Sequence, residues 1–138
     1  MTVRVRSCVV MFLAVLAQGS SARAIAAPPE LQVSLRPEQH LARDAHTAIE
    51  VIVQLPAGSA ELPLLLTPRI EGAAVELVRG RLMRSDGKEM ERGRLRFEVP
   101  VVARSHGTAI LRVNVTTYVC RQSCQQVDAT TSAVLEVR

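Results

Sequence analysis

Two cysteines four positions apart, Cys120 and Cys124, are the residues of this 138-residue chain best placed to do chemistry. They bracket Arg121-Gln122-Ser123 in the run from Tyr118 to Gln126. Thiols at the two ends of a three-residue turn can be brought within the roughly 4.4–6.8 Å between α-carbons that a disulfide requires. Such a pair admits three uses. As a structural staple it is weak, because closing a loop of about five residues removes on the order of 2 kcal/mol of chain entropy, against nearly 5 for a 100-residue loop. As an exchanging pair it would cycle between dithiol and disulfide, the behaviour of labile bridges near a surface. As a metal site it needs further ligands, and His40, His46 and His106 have no diagnostic spacing to the cysteines, so no metal and no cofactor is expected. Arg121 would either favour a neighbouring thiolate or serve as an ordinary exposed side chain.

Which use applies depends on the redox compartment, and the N-terminus speaks to that. Arg4 and Arg6 precede an apolar run from Cys8 to Ala17, followed by small residues through Ala26. This is the order of a secretory signal peptide, so residues 1–26 are expected to be cleaved and residues 27–138 to form one exported domain. The apolar run is half the roughly 20 residues a spanning helix needs. Cys8 leaves with the leader, and Cys120 and Cys124 remain in a compartment, periplasmic or secreted and bacterial in character, where thiols oxidise and pair.

The leader also accounts for most of the positive charge. Of 17 Lys+Arg it carries Arg4, Arg6 and Arg23, leaving 14 against 13 Asp+Glu, a net of +1. With aromatic residues at 2%, the mature part has neither a basic face nor stacking platforms, so no nucleic-acid partner is expected. Contact with a membrane is expected during export only. There is no Gly-x-Ser-x-Gly elbow and no phosphate-cradling glycine loop, which leaves the cysteines as the only candidate catalytic residues.

The elements that position them read as strands. Residues 31–35, 47–55, 94–99, 108–119 and 132–137 alternate apolar and polar side chains, with Ile49, Val51, Val53 and Leu55 on one face. Residues 62–70 are apolar but interrupted by Pro63 and Pro68, which predicts an edge strand or an irregular crossover. Residues 75–83 predict a strand with a bulge at Gly80, leading to a tight turn at Asp86-Gly87. The dense mixed charges of residues 84–96 predict a solvated hairpin. About seven short strands separated by turns point to an all-β, antiparallel, immunoglobulin-like sandwich.

A late strand ending in Tyr118-Val119-Cys120, a short loop and a second cysteine, set in such a sandwich, resembles the periplasmic N-terminal domain of the thiol-disulfide interchange reductase DsbD. The resemblance covers about the last 30 residues and the general layout. It implies that Cys120 and Cys124 are the pair that passes reducing equivalents between a membrane thiol reductase and periplasmic proteins, with Tyr118 at the aromatic position just ahead of it. This chain differs in having three residues between the cysteines, where that family usually has five, and Gln125-Gln126 after them, where that family has a Pro-rich stretch. Two functional readings stand on the sequence. One is an exported interaction module with a hairpin disulfide that docks a protein partner; the alternative is a thiol-disulfide exchange domain.

Overall fold

The structure, a computed structural model, describes residues 30–138. The expected leader over residues 1–26, its Cys8 and the cleavage site lie outside the described residues.

Period-two alternation of aliphatic and polar residues gives ten strands among the described residues: β1 (Gln32–Ser34), β2 (Glu38–Leu41), β3 (His46–Gln54), β4 (Leu64–Glu71), β5 (Val75–Leu77), β6 (Leu82–Met83), β7 (Lys88–Met90), β8 (Arg94–Ala103), β9 (Gly107–Cys120) and β10 (Cys124–Val137). They form two sheets packed face to face, an all-β immunoglobulin-like sandwich. One sheet runs β1-β3-β8-β5, with β7 also paired to β8; the other runs β2-β10-β9-β4-β6. Every pairing is antiparallel except β2 with β10, which is parallel. The core fills the space between the sheets. Ile49, Val51 and Val53 of β3 and Leu95, Phe97 and Val99 of β8 meet Leu64 and Leu66 of β4 and Leu111, Val113 and Val115 of β9.

The structure departs from the sequence expectations at five places. Residues 75–83 are not one bulged strand, because the chain crosses between sheets there: β5 pairs with β8 and β6 with β4. Pro68 does not put β4 at an edge throughout, since β4 lies between β9 and β6; β6 covers only Leu65 and Leu66, and Pro68 falls on the uncovered stretch where no donor is needed. The strand expected over residues 94–99 does not stop there but runs through Pro100 to Ala103. The Ala103 N–H bonds the Ala45 carbonyl on the β3 side, so alternation points the Pro100 nitrogen the other way, where its carbonyl accepts from Val78 N–H at 3.1 Å. Finally, β10 starts at Cys124 instead of 132, and β2 is an added short strand.

Candidate functional site

Cys120 is the last residue of β9 and Cys124 the first of β10, so the cysteines sit at the tip of the hairpin that the two longest strands make. They are register partners, their α-carbons are 4.0 Å apart, and they form a disulfide. The face on which it lies follows from alternation. Val113, Val115 and Thr117 point into the sandwich and are fully buried, which turns Thr116, Tyr118 and Cys120 outward, along with their partners Asp128, Gln126 and Cys124. The disulfide therefore caps the outer face of the sheet and takes no part in the core cluster. Cys124 is exposed and Cys120 half-buried, and all three turn residues between them are exposed.

The neighbours on that face are polar. Tyr118, 40% exposed, is paired with Gln126 one step below the disulfide. Below them the Thr116 hydroxyl donates to the Asp128 carboxylate, which also accepts from Gln126 Nε2 at 3.3 Å. Phe97, the other aromatic residue described, is in the core and cannot shield the bridge.

The loop between β3 and β4 holds this end in place. Ser59 Oγ is buried and donates to the Pro56 carbonyl at 2.6 Å, while Arg84 reaches the Leu62 carbonyl at 3.2 Å. That folded loop presents the Gly58 carbonyl to the Cys120 N–H at 3.0 Å. Gly58 has φ +85°, and a β-carbon there would lie 2.9 Å from the Cys120 carbonyl oxygen, so both the conformation and the close approach demand glycine.

Beneath the hairpin tip, on the inner side of the same ribbon, a cleft of about 710 Å³ opens between the sheets. Leu31, Pro56, Val119 and Val127 give it apolar walls, and Arg121 and Asp128 stand at its rim. The exposed disulfide and this cleft thus occupy the two faces of one short piece of β-ribbon.

No protein family matches the chain, and no curated protein does.

Of the residues singled out in the sequence, the fold brings together Cys120, Cys124, Tyr118 and Arg121 at one end of the molecule. Arg121 enters no ion pair among the described residues. The histidines go elsewhere. His46 opens β3 and His106 lies in the turn before β9, both exposed. His40 lies on β2, at the opposite end of β10 from the cysteines, with Nδ1 3.4 Å from Glu136 and Nε2 3.9 Å from Glu38. Sequence reasoning misses that trio because it depends on the parallel register that pairs His40 with Glu136. Sequence reasoning also misses the cleft, whose walls come from both sheets.

Proposed function

We propose that this chain is a thiol-disulfide exchange domain that receives a protein dithiol at the β9–β10 tip and cycles Cys120 and Cys124 between disulfide and dithiol. The observation that carries this reading is the position of the bridge: outside the core, on an exposed face, beside a cleft. A staple works best where it closes a long loop or ties separated elements, and here it joins neighbours already paired along the whole of two 14-residue strands. The more exposed sulfur, that of Cys124, is the one open to attack.

The chemistry is a two-electron exchange. A partner thiolate bonds to the Cys124 sulfur as the Cys120–Cys124 bond breaks, and Cys120 leaves as a thiolate that takes a proton from solvent. A second partner thiol then attacks the mixed disulfide, the partner disulfide forms, and Cys124 is released and protonated. The partner is oxidised and this domain reduced; the reverse sequence returns it.

Equilibration against glutathione tests the proposal. A reduction potential above about −300 mV, reached quickly, is the expected result, while a lower potential with slow reduction would mark a structural bridge. The second reading, a non-redox interaction module, would then stand, supported by the same cleft as a docking surface.

A further inference from the structure

The edge of the sheet beside the disulfide is open. Strand β2 covers β10 only at Val134–Val137, so among the described residues nothing pairs with the outer side of β10 from Cys124 to Ala133. The Val134 N–H points outward, donating to the Pro37 carbonyl at 2.8 Å, and the β9–β10 register is continuous, so the N–H and C=O groups of Cys124, Gln126, Asp128, Thr130 and Ser132 point the same way. Edges left this way are normally guarded by brevity, Lys, Pro or a bulge. The other outer strands β1, β2, β5, β6 and β7 are two to four residues long. Strand β10 has no such guard: from Cys124 to Ala133 it contains no Lys, Arg or Pro, and its one charge is Asp128.

We propose that an extended segment of the partner dithiol protein adds to this edge as a strand antiparallel to β10 and presents its cysteine directly opposite Cys124. This rests on the exchange reading above and specifies how the partner is held. Directly opposed residues on neighbouring strands share a face with β-carbons about 4.5–5.5 Å apart. The incoming cysteine then flanks Cys124 on the side opposite Cys120, in a hydrogen-bonded pair where Cys120 and Cys124 form a non-hydrogen-bonded one. Across three adjacent strands the sulfurs stand in the order Cys120, Cys124, partner. That is the in-line approach of a thiolate to a disulfide, with Cys120 as the leaving group. The same segment would send alternate side chains toward the inner face, where the cleft offers Leu31, Val119 and Val127 to apolar residues. On the outer face a basic residue four places before the cysteine would meet Asp128. Main-chain bonding along the edge with pockets for every second side chain is the pattern of strand addition.

The test uses the acetylated heptapeptide amide Thr-Val-Lys-Val-Thr-Val-Cys, and a control with its last two residues exchanged so that the thiol meets the opposite face. The oxidised protein should form a mixed disulfide with the first peptide about tenfold faster than with the control, the gain expected of a few edge hydrogen bonds. A Cys-to-Ser version of the peptide should slow amide exchange at Gln126 and Asp128. In Gln126→Pro, which removes an outward N–H that β9 does not use, the two peptides should react at one rate. If that variant loses its fold, Asp128→Lys takes its place: it should slow the lysine peptide and recover with a glutamate version. Equal rates for the two peptides on the native protein overturn the proposal. So does protection of the Gln126 and Asp128 amides that rises with protein concentration alone, which would make a second copy the occupant. Peptide-induced protection at those amides with a glutathione potential well below about −300 mV would instead retain the docked strand and sink the exchange reading.

Discussion

Cys120 and Cys124 face each other at the last pair of the β9–β10 ladder, on the side of the sheet turned away from the core. The hairpin beneath them is held by its own register whether or not the sulfurs are joined. Replacing both by serine is therefore expected to cost no more than about 2 kcal/mol, the loop-entropy limit. Leu111→Ala, in the core of the same strand, should cost about 2–5 kcal/mol. Urea denaturation of the two variants checks the contrast; a serine variant as unstable as the core variant would make the bridge a staple.

The unequal exposure of the two sulfurs gives a second expectation. In Cys120→Ala the remaining thiol is the exposed Cys124, and in Cys124→Ala it is the half-buried Cys120 under the Gly58 loop. Reaction with an aromatic disulfide reagent should be severalfold faster in the first variant. Equal rates would show that neither sulfur is the preferred point of attack.

How much of this could be read beforehand differs between the two strands that carry the site. Residues 108–119 put Ala109, Leu111, Val113 and Val115 on one face and, apart from Ile110, polar residues between them, so β9 and its outward cysteine follow from the sequence alone. The first half of β10, Gln125 to Ser132, is solvated on its outer face, and on its inner face only Val127 and Ala129 are apolar, half-buried at the open mouth of the sandwich between Gln125 and Thr131. Two small apolar residues among six polar ones make too short a stripe to read as a strand. The same gap hid the open edge and the cleft, which exist only once β10 is extended beside β9. The prolines misled in the opposite direction. Pro68 and Pro100 do not break their strands, because Pro68 turns its missing donor to the stretch of β4 that β6 leaves uncovered and Pro100 turns its own to the β5 side just past the last β5–β8 pair, and that side is fixed by strand order and not by local sequence.

Gly87 offers a test of how the charged hairpin packs. Its backbone is extended, at φ −88° and ψ 150°, so no glycine conformation is required there. What matters is space: a β-carbon would lie 2.7 Å from Cζ and 2.8 Å from Cε1 of the buried Phe97 ring. Gly87→Ala should therefore destabilise the protein by about 1–3 kcal/mol through overpacking. Adding Phe97→Leu should make the pair of substitutions less costly than the sum of the two alone, as a double-mutant cycle would show. Strict additivity would mean that the turn moves aside instead.

The turn just before Gly87 gives the pH expectation. The Asp86 carboxylate accepts from the Met83 backbone N–H at 2.8 Å and forms a two-point pair with Arg79 at 3.1 and 3.2 Å. The Met83 hydrogen bond first, and Arg79 after it, hold its pKa below the ordinary 3.8. A folded state that binds this proton less tightly than the unfolded chain gains stability above the unfolded value and loses it as pH falls through the lowered one. Asp86→Asn should therefore melt below the native protein at neutral pH, and the two melting temperatures should converge as pH falls below 3.8 and the native carboxyl takes up its proton. Because the group is exposed, the difference should be modest and should shrink in high salt. A gap that stays constant from neutral to acid pH would show that the carboxylate charge is not its source.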